Sequence, residues 1–126
     1  MLSETTTHNR DISTYEMGLL KDSVLNIVKI IEDGYKSEGL DYYDGQYEKG
    51  EVISGWDYLS DVLDINYILN ADRSYKGARV LVAFGGPNIW IDTEKQTVEG
   101  SWWGDAFTAS YRIDLMDIDN TLFEAF

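Results

Sequence analysis

The chain has 126 residues, no cysteine and one histidine, and its 23 Asp and Glu against 10 Lys and Arg leave a formal charge of −13. This excludes a disulfide framework and a thiolate metal site, and it disfavours direct contact with nucleic acid or an anionic membrane, whose fields repel it. With 44% hydrophobic residues, 9 Tyr, 4 Trp and 4 Phe, the composition is that of a globular protein and not of a disordered acidic tail.

Residues 1–13 are polar, carry the single His8 and read as a flexible leader. They have no apolar core of a secretory signal, and no run in the chain approaches the ~18 apolar residues of a membrane span. The expected location is the cytoplasm. Residues 14–126 are expected to form a single α+β domain, an antiparallel three- to four-stranded sheet with an N-terminal, a short middle and a C-terminal helix.

In the first helix, Leu20, Val24, Ile27, Val28 and Ile31 recur on one face of a 3.6-residue period. Glu16 lies near its start and Gly34 just past its end. Residues 34–55 are broken by glycines and rich in tyrosine and acid, and read as loop with short helical turns. Ser54 can cap a short helix running to Asp64, with Trp56, Leu59 and Leu63 on one side and Asp57, Asp61 and Asp64 on the other. The period then switches to two. Ile65, Tyr67 and Leu69 mark a strand, and Ala78 to Phe84 reads as the central strand, apolar on both faces. Gly85-Gly86-Pro87-Asn88 is a turn. Ile89–Asp92 and Thr97–Trp103 form a hairpin, residues 105–112 are ambiguous, and Leu115, Ile118, Leu122 and Phe126 mark the last helix.

Catalytic motifs fail one by one. His8 alone supports neither a zinc site nor a nucleophilic triad. The Gly85–Asn88 turn lacks the lysine and spacing of a phosphate loop. Asp114, Asp117, Asp119 and Asn120 lack the glycine of a calcium loop. Acids are too numerous for any pair of them to indicate acid–base chemistry. No enzyme activity, cofactor or metal site is expected.

The charge is segregated. Residues 36–64 hold eight acids and two lysines, whereas residues 65–104 hold four acids and four bases. Like charges one helical turn apart destabilise a helix by a few tenths of a kcal/mol per pair, so function is one reason to keep them. Acidic rows present a charge density of the same order as a nucleic-acid backbone. Solubility alone, a cationic protein partner and divalent-cation binding are the three readings of such a surface.

The stretch Ala78-Arg79-Val80-Leu81-Val82-Ala83-Phe84-Gly85-Gly86-Pro87-Asn88-Ile89-Trp90-Ile91-Asp92-Thr93, followed by Val98-Glu99-Gly100-Ser101-Trp102-Trp103-Gly104-Asp105, resembles a group of small prophage- and plasmid-borne proteins. In overall type, the chain also resembles phage anti-CRISPR and anti-restriction proteins, the latter DNA mimics. That resemblance implies a non-catalytic inhibitor in the host bacterial cytoplasm, bound to a cationic nuclease or CRISPR effector complex. The expected contacts are Glu38, Asp41, Asp44, Glu48, Glu51, Asp57, Asp61 and Asp64, with Tyr42, Tyr43 and Tyr47 as aromatic anchors. An immunity or antitoxin-type protein directed at a basic toxin is the alternative.

Overall fold

The computed structural model describes residues 4–7, 14–39 and 47–126. The elements run β1 (Glu4–Thr7), α1 (Thr14–Asp33), α2 (Gly55–Ser60), β2 (Asp64–Leu69), β3 (Tyr75–Ala83), β4 (Asn88–Asp92), β5 (Thr97–Trp102), β6 (Asp105–Ser110) and α3 (Ile118–Ala125). The α+β expectation holds. The sheet is larger than the expected three to four strands. Five consecutive strands, β2 to β6, lie side by side in antiparallel order, and β1 adds to the β6 edge. Residues 4–7, read from sequence as part of a leader, thus pair with β6.

The sheet builds its core from strict alternation. Ala78, Val80, Ile89, Ile91, Val98, Phe107 and Ala109 are buried and cluster with Leu20, Val24, Val28 and Ile31 of α1, Leu59 of α2, and Ile118 and Leu122 of α3. All three helices therefore bury their apolar residues against one face of the sheet. Removing a side chain such as Phe107 from water contributes about 1.5–3 kcal/mol. Gly100 faces α1, and a Cβ there would lie 2.5 Å from Val24 Cγ2 and 2.8 Å from Leu20 Cδ1. The helix thus sits at a distance only glycine allows.

α1 ends at Gly34, whose φ of 95° is the left-handed conformation that closes helices. Its N–H still donates to Ile30 O at 2.8 Å. β3 is interior but not central, lying between β4 and the edge strand β2. It reads as apolar on both faces because Leu81 pairs across the strand with Trp90 on the face away from the helices. That face also carries Arg79. Its guanidinium lies 5.2 Å from the Trp90 ring centre, 3.0 Å from Glu99 Oε2 and 3.4 Å from Asp92 Oδ2.

The ambiguous residues 105–112 contain β6. It is joined to β5 by a two-residue turn in which Trp103 and Gly104 have φ of 56° and 81°, the handedness tight hairpins favour. The middle helix stops at Ser60, because Leu63 already donates its N–H to Leu81 O at 2.8 Å and begins the sheet pairing. In the C-terminal pattern, Ile118 and Leu122 are buried, whereas Leu115 precedes α3 and is exposed, as is Phe126. Among the described residues, no helix is long and apolar enough to cross a membrane.

Candidate functional site

The stretch read from sequence as loop with helical turns has a different local structure where it is described. Ser37 donates its N–H to Glu51 O at 2.7 Å, Gly50 donates to Ser37 O at 2.8 Å, and Ile53 donates to Tyr35 O at 2.8 Å. These bonds frame an antiparallel bridge between Lys36 and Val52. Tyr35 anchors it to the rest of the fold in two ways. Its N–H donates to the Met116 sulfur at 3.2 Å, and its ring lies 5.6 Å from that of Tyr58 on α2.

Tyr47 joins the same bridge to the start of α2. Its hydroxyl donates to Asp57 Oδ2 at 2.5 Å and accepts the Ser54 N–H at 3.0 Å. Ser54 in turn caps α2, its Oγ accepting the Asp57 N–H at 3.2 Å. A serine cap contributes about 1 kcal/mol. Glu48, Glu51, Tyr47 and Asp57 are thus held on one connected substructure, with Glu38 at its edge. The Glu51 carboxylate accepts the Glu48 N–H at 2.7 Å, so these two acids are fixed relative to each other.

The middle helix and its acids are arranged differently from the sequence expectation. Asp57, Asp61 and Asp64 do not form one helical row. Asp57 is in α2, Asp61 is its C-terminal cap, and Asp64 opens β2 with its carboxylate accepting the Ile65 N–H at 2.9 Å. Trp56 and Leu63, expected on one side of the helix with Leu59, are 54% and 59% exposed, whereas Leu59 is buried. Tyr47 is committed to Asp57 and Ser54 through its hydroxyl, which makes it a brace for the acidic loop as well as a surface residue. Asp41, Tyr42, Tyr43 and Asp44 lie outside the described residues.

The structure adds acids that spacing alone did not single out. Leu115 donates its N–H to Ile31 O at 2.9 Å, and Arg112 donates its N–H to Glu32 Oε2 at 2.7 Å. The segment before α3 is thereby tied to the C-terminal end of α1. Asp114 accepts the N–H groups of Ile118 at 3.0 Å and Asp119 at 3.1 Å, satisfying donors that a helix start leaves open. Asp119 Oδ1 accepts the Tyr75 hydroxyl at 2.7 Å. Glu32 and Asp33 occupy the last turn of α1, which carries no basic residue. Acids there oppose the helix dipole, a cost of about 0.3–1 kcal/mol each. A signal for them was present in the sequence, two acids directly before a helix-ending glycine.

Ion pairs are distributed very differently. Those between described residues are Lys76–Glu94 at 2.9 Å and Arg79 with Asp92 and Glu99. Every one joins residues of β3, β4, β5 or the β4–β5 turn. Glu32, Asp33, Glu38, Glu48, Glu51 and Asp57, on α1, α2 or the segment between them, form none with a described Lys or Arg, and neither does Asp64 at the start of β2. No group of three or more His, Asp or Glu among the described residues is arranged to hold a metal ion. Burial, aided by the neighbouring Tyr35 hydroxyl, pushes Tyr58 up to about 12. It is a packed, protonated phenol and not a titrating group of the site.

No family model matches the chain, and no curated protein or solved structure is found to be similar to it.

Proposed function

We propose that this chain is a non-catalytic acidic inhibitor, of the anti-CRISPR or anti-restriction kind, that occupies a cationic DNA-binding surface of a host defence nuclease complex. The observation that carries the reading is the split in charge pairing. Asp92, Glu94 and Glu99 meet arginine or lysine within the sheet and its β4–β5 turn, whereas Glu32, Asp33, Glu48, Glu51 and Asp57, at the end of α1 and around the start of α2, form no ion pair with a described Lys or Arg. Carboxylates held in place by uncharged donors, Glu51 by the Glu48 N–H and Asp57 by the Tyr47 hydroxyl, are complementary to a row of Lys and Arg that otherwise grips phosphates. Their cost to the fold, at the α1 C-terminus above all, is consistent with retention for an external partner. Electrostatic steering makes such association fast and strongly salt-dependent.

The test measures DNA binding by purified CRISPR effector and restriction complexes in the presence of the chain, across a salt series. The expected result is competitive loss of DNA binding by at least one complex, weakening steeply as salt rises. The combined variant Glu38→Gln, Glu48→Gln, Asp61→Asn and Asp64→Asn should lose most of that inhibition while melting normally. Full inhibition by the folded variant, or inhibition indifferent to salt, would rule the reading out.

A further inference from the structure

The two edges of the sheet differ in kind. β1 is four residues long, polar and opened by Glu4. β2 is six residues long, and from Ile65 to Ala71 the chain carries no charged residue and no proline. No described residue pairs with the outer side of β2. Natural sheets guard their edges with lysine, proline or brevity, because an apolar edge strand is a template for another strand.

Hydrogen bonds on the inner side fix what that edge presents. Thr93 donates its N–H to Ala78 O at 2.9 Å, so Ala78 and Val80 of β3 bond to β4, and the alternate residues Arg79 and Leu81 bond to β2. Their partners there are Asn66 and Asp64. Ile65 and Tyr67 therefore aim their backbone groups outward. The Ile65 N–H agrees with that direction, since it donates to the Asp64 carboxylate beside it, at 2.9 Å. The register shifts between Ile68 and Leu69. Asn70 still donates its N–H to Ser74 O at 2.9 Å, which leaves Leu69 facing outward as well. Beside this backbone lies an apolar margin. Tyr67 stands opposite Ala78 on the helix-covered face, its ring 5.1 Å from that of Phe126, and Tyr75 lies 5.5 Å from Phe123. Tyr67, Leu69, Phe123 and Phe126 are all exposed.

We propose that this edge joins a second copy of the chain: two β2 strands pair antiparallel about a two-fold axis at Tyr67 and make one continuous sheet. Charge selects the occupant. A cationic partner would seek acids, which residues 65–71 lack, whereas two chains of −13 can approach along an uncharged strand. The register sets Ile65 against Leu69, Tyr67 against its counterpart and Asp64 against Asn70, so no like charges are opposed. It also brings Arg73, exposed in the β2–β3 turn with a φ of 70°, to the end of the other copy where Asp61 and Asp64 lie. As the Ile65 N–H passes to the Leu69 carbonyl of the other copy, the Asp64 carboxylate is released to meet that arginine. The axis keeps both helix-covered faces on one side, so the two aromatic margins become one strip. Each copy spends its β2 edge, so the assembly closes at two. None of this rests on the inhibitor reading.

Sedimentation equilibrium of the full chain over a concentration series, at low and high salt, tests it. The expected result is a monomer–dimer equilibrium with no larger species, tightening as salt screens the repulsion between copies. That trend is opposite to the one expected for a cationic partner. Amide hydrogen exchange should show Tyr67 and Leu69 protected at high concentration and open at low. Leu69→Lys and Tyr67→Lys should each weaken dimerisation about tenfold. Arg73→Asp should weaken it severalfold, and Asp64→Arg combined with Arg73→Asp should restore it, which keeps the test decisive if a lysine variant fails to fold. A chain that stays monomeric at every concentration and salt would overturn the proposal. So would a dimer whose Tyr67 and Leu69 amides exchange as in the monomer, or folded lysine variants that dimerise like the wild type. Protection of the β2 amides only after a basic peptide is added would assign the edge to a foreign strand and overturn it too.

Discussion

The sheet and the helical side handle charge in opposite ways. On the sheet, Arg79 is shared between Asp92 and Glu99 and stacks on Trp90, and Lys76 meets Glu94. On the helical side, carboxylates are oriented by backbone N–H groups, as at Glu32, Glu51 and Asp114. An N–H donor fixes a carboxylate in place and leaves its charge in view, whereas an arginine cancels it. The difference separates two tasks. The sheet supplies cohesion, and the helical side carries field.

That division can be broken most forcefully from the sheet. Phe107→Ala should cost roughly 3–5 kcal/mol in urea unfolding, the usual range for emptying a fully buried aromatic site. Partner affinity per folded molecule should not change, and a parallel loss of affinity would mean that the two tasks are not separate. Next comes alkaline pH. Unfolded tyrosine loses its proton near 10, whereas Tyr58 in the fold keeps it to about 12. The folded state therefore binds the extra proton between those values. Stability is full below pH 10 and falls as pH rises toward 12, by roughly 3 kcal/mol for this residue. Burial holds Tyr75 and Tyr111 above their ordinary value in the same direction. Chemical denaturation on either side of pH 10, followed by tyrosinate absorbance, checks the sign. The smallest effect sharpens the comparison most. Asp33→Lys replaces an acid in the last turn of α1 by a base and should raise stability by about 0.5 kcal/mol, while weakening association with a cationic partner. A variant that gains stability without losing affinity would remove the end of α1 from the interacting surface.

The same physics explains what could be read from the sequence. α1 was legible because its buried residues contrast sharply with their neighbours, as Leu20, Val24 and Ile31 show. The β4–β5 hairpin was legible because a polar turn separates two alternating runs. β6 was not, since Ala106, Thr108 and Ser110 on its other face are small and give little contrast with Ala109. Its turn hid as well, because Trp103 takes a conformation that sequence rules reserve for Gly, Asn or Asp. The end of α2 was misread because its acid spacing continues to Asp64, while sheet pairing at Leu63 overrides the helical pattern. For the acidic contacts, the sequence showed where the charges cluster along the chain. It did not show that Tyr47 clasps Asp57, or that Glu32 and Asp114 come together through the segment following β6, since those depend on long-range closure.

Gly100 has a mechanical consequence. Position 100 bears only a hydrogen, so the gap between the long helix and the strands is set by a missing methyl group. A larger residue would act as a shim under Val24 and tilt the helix about that point. Asp33 lies nine residues further along, about 14 Å at 1.5 Å per residue, so the lever arm would displace the tip most. An uncharged position in the middle of a strand thereby governs how far the negative end of the helix reaches.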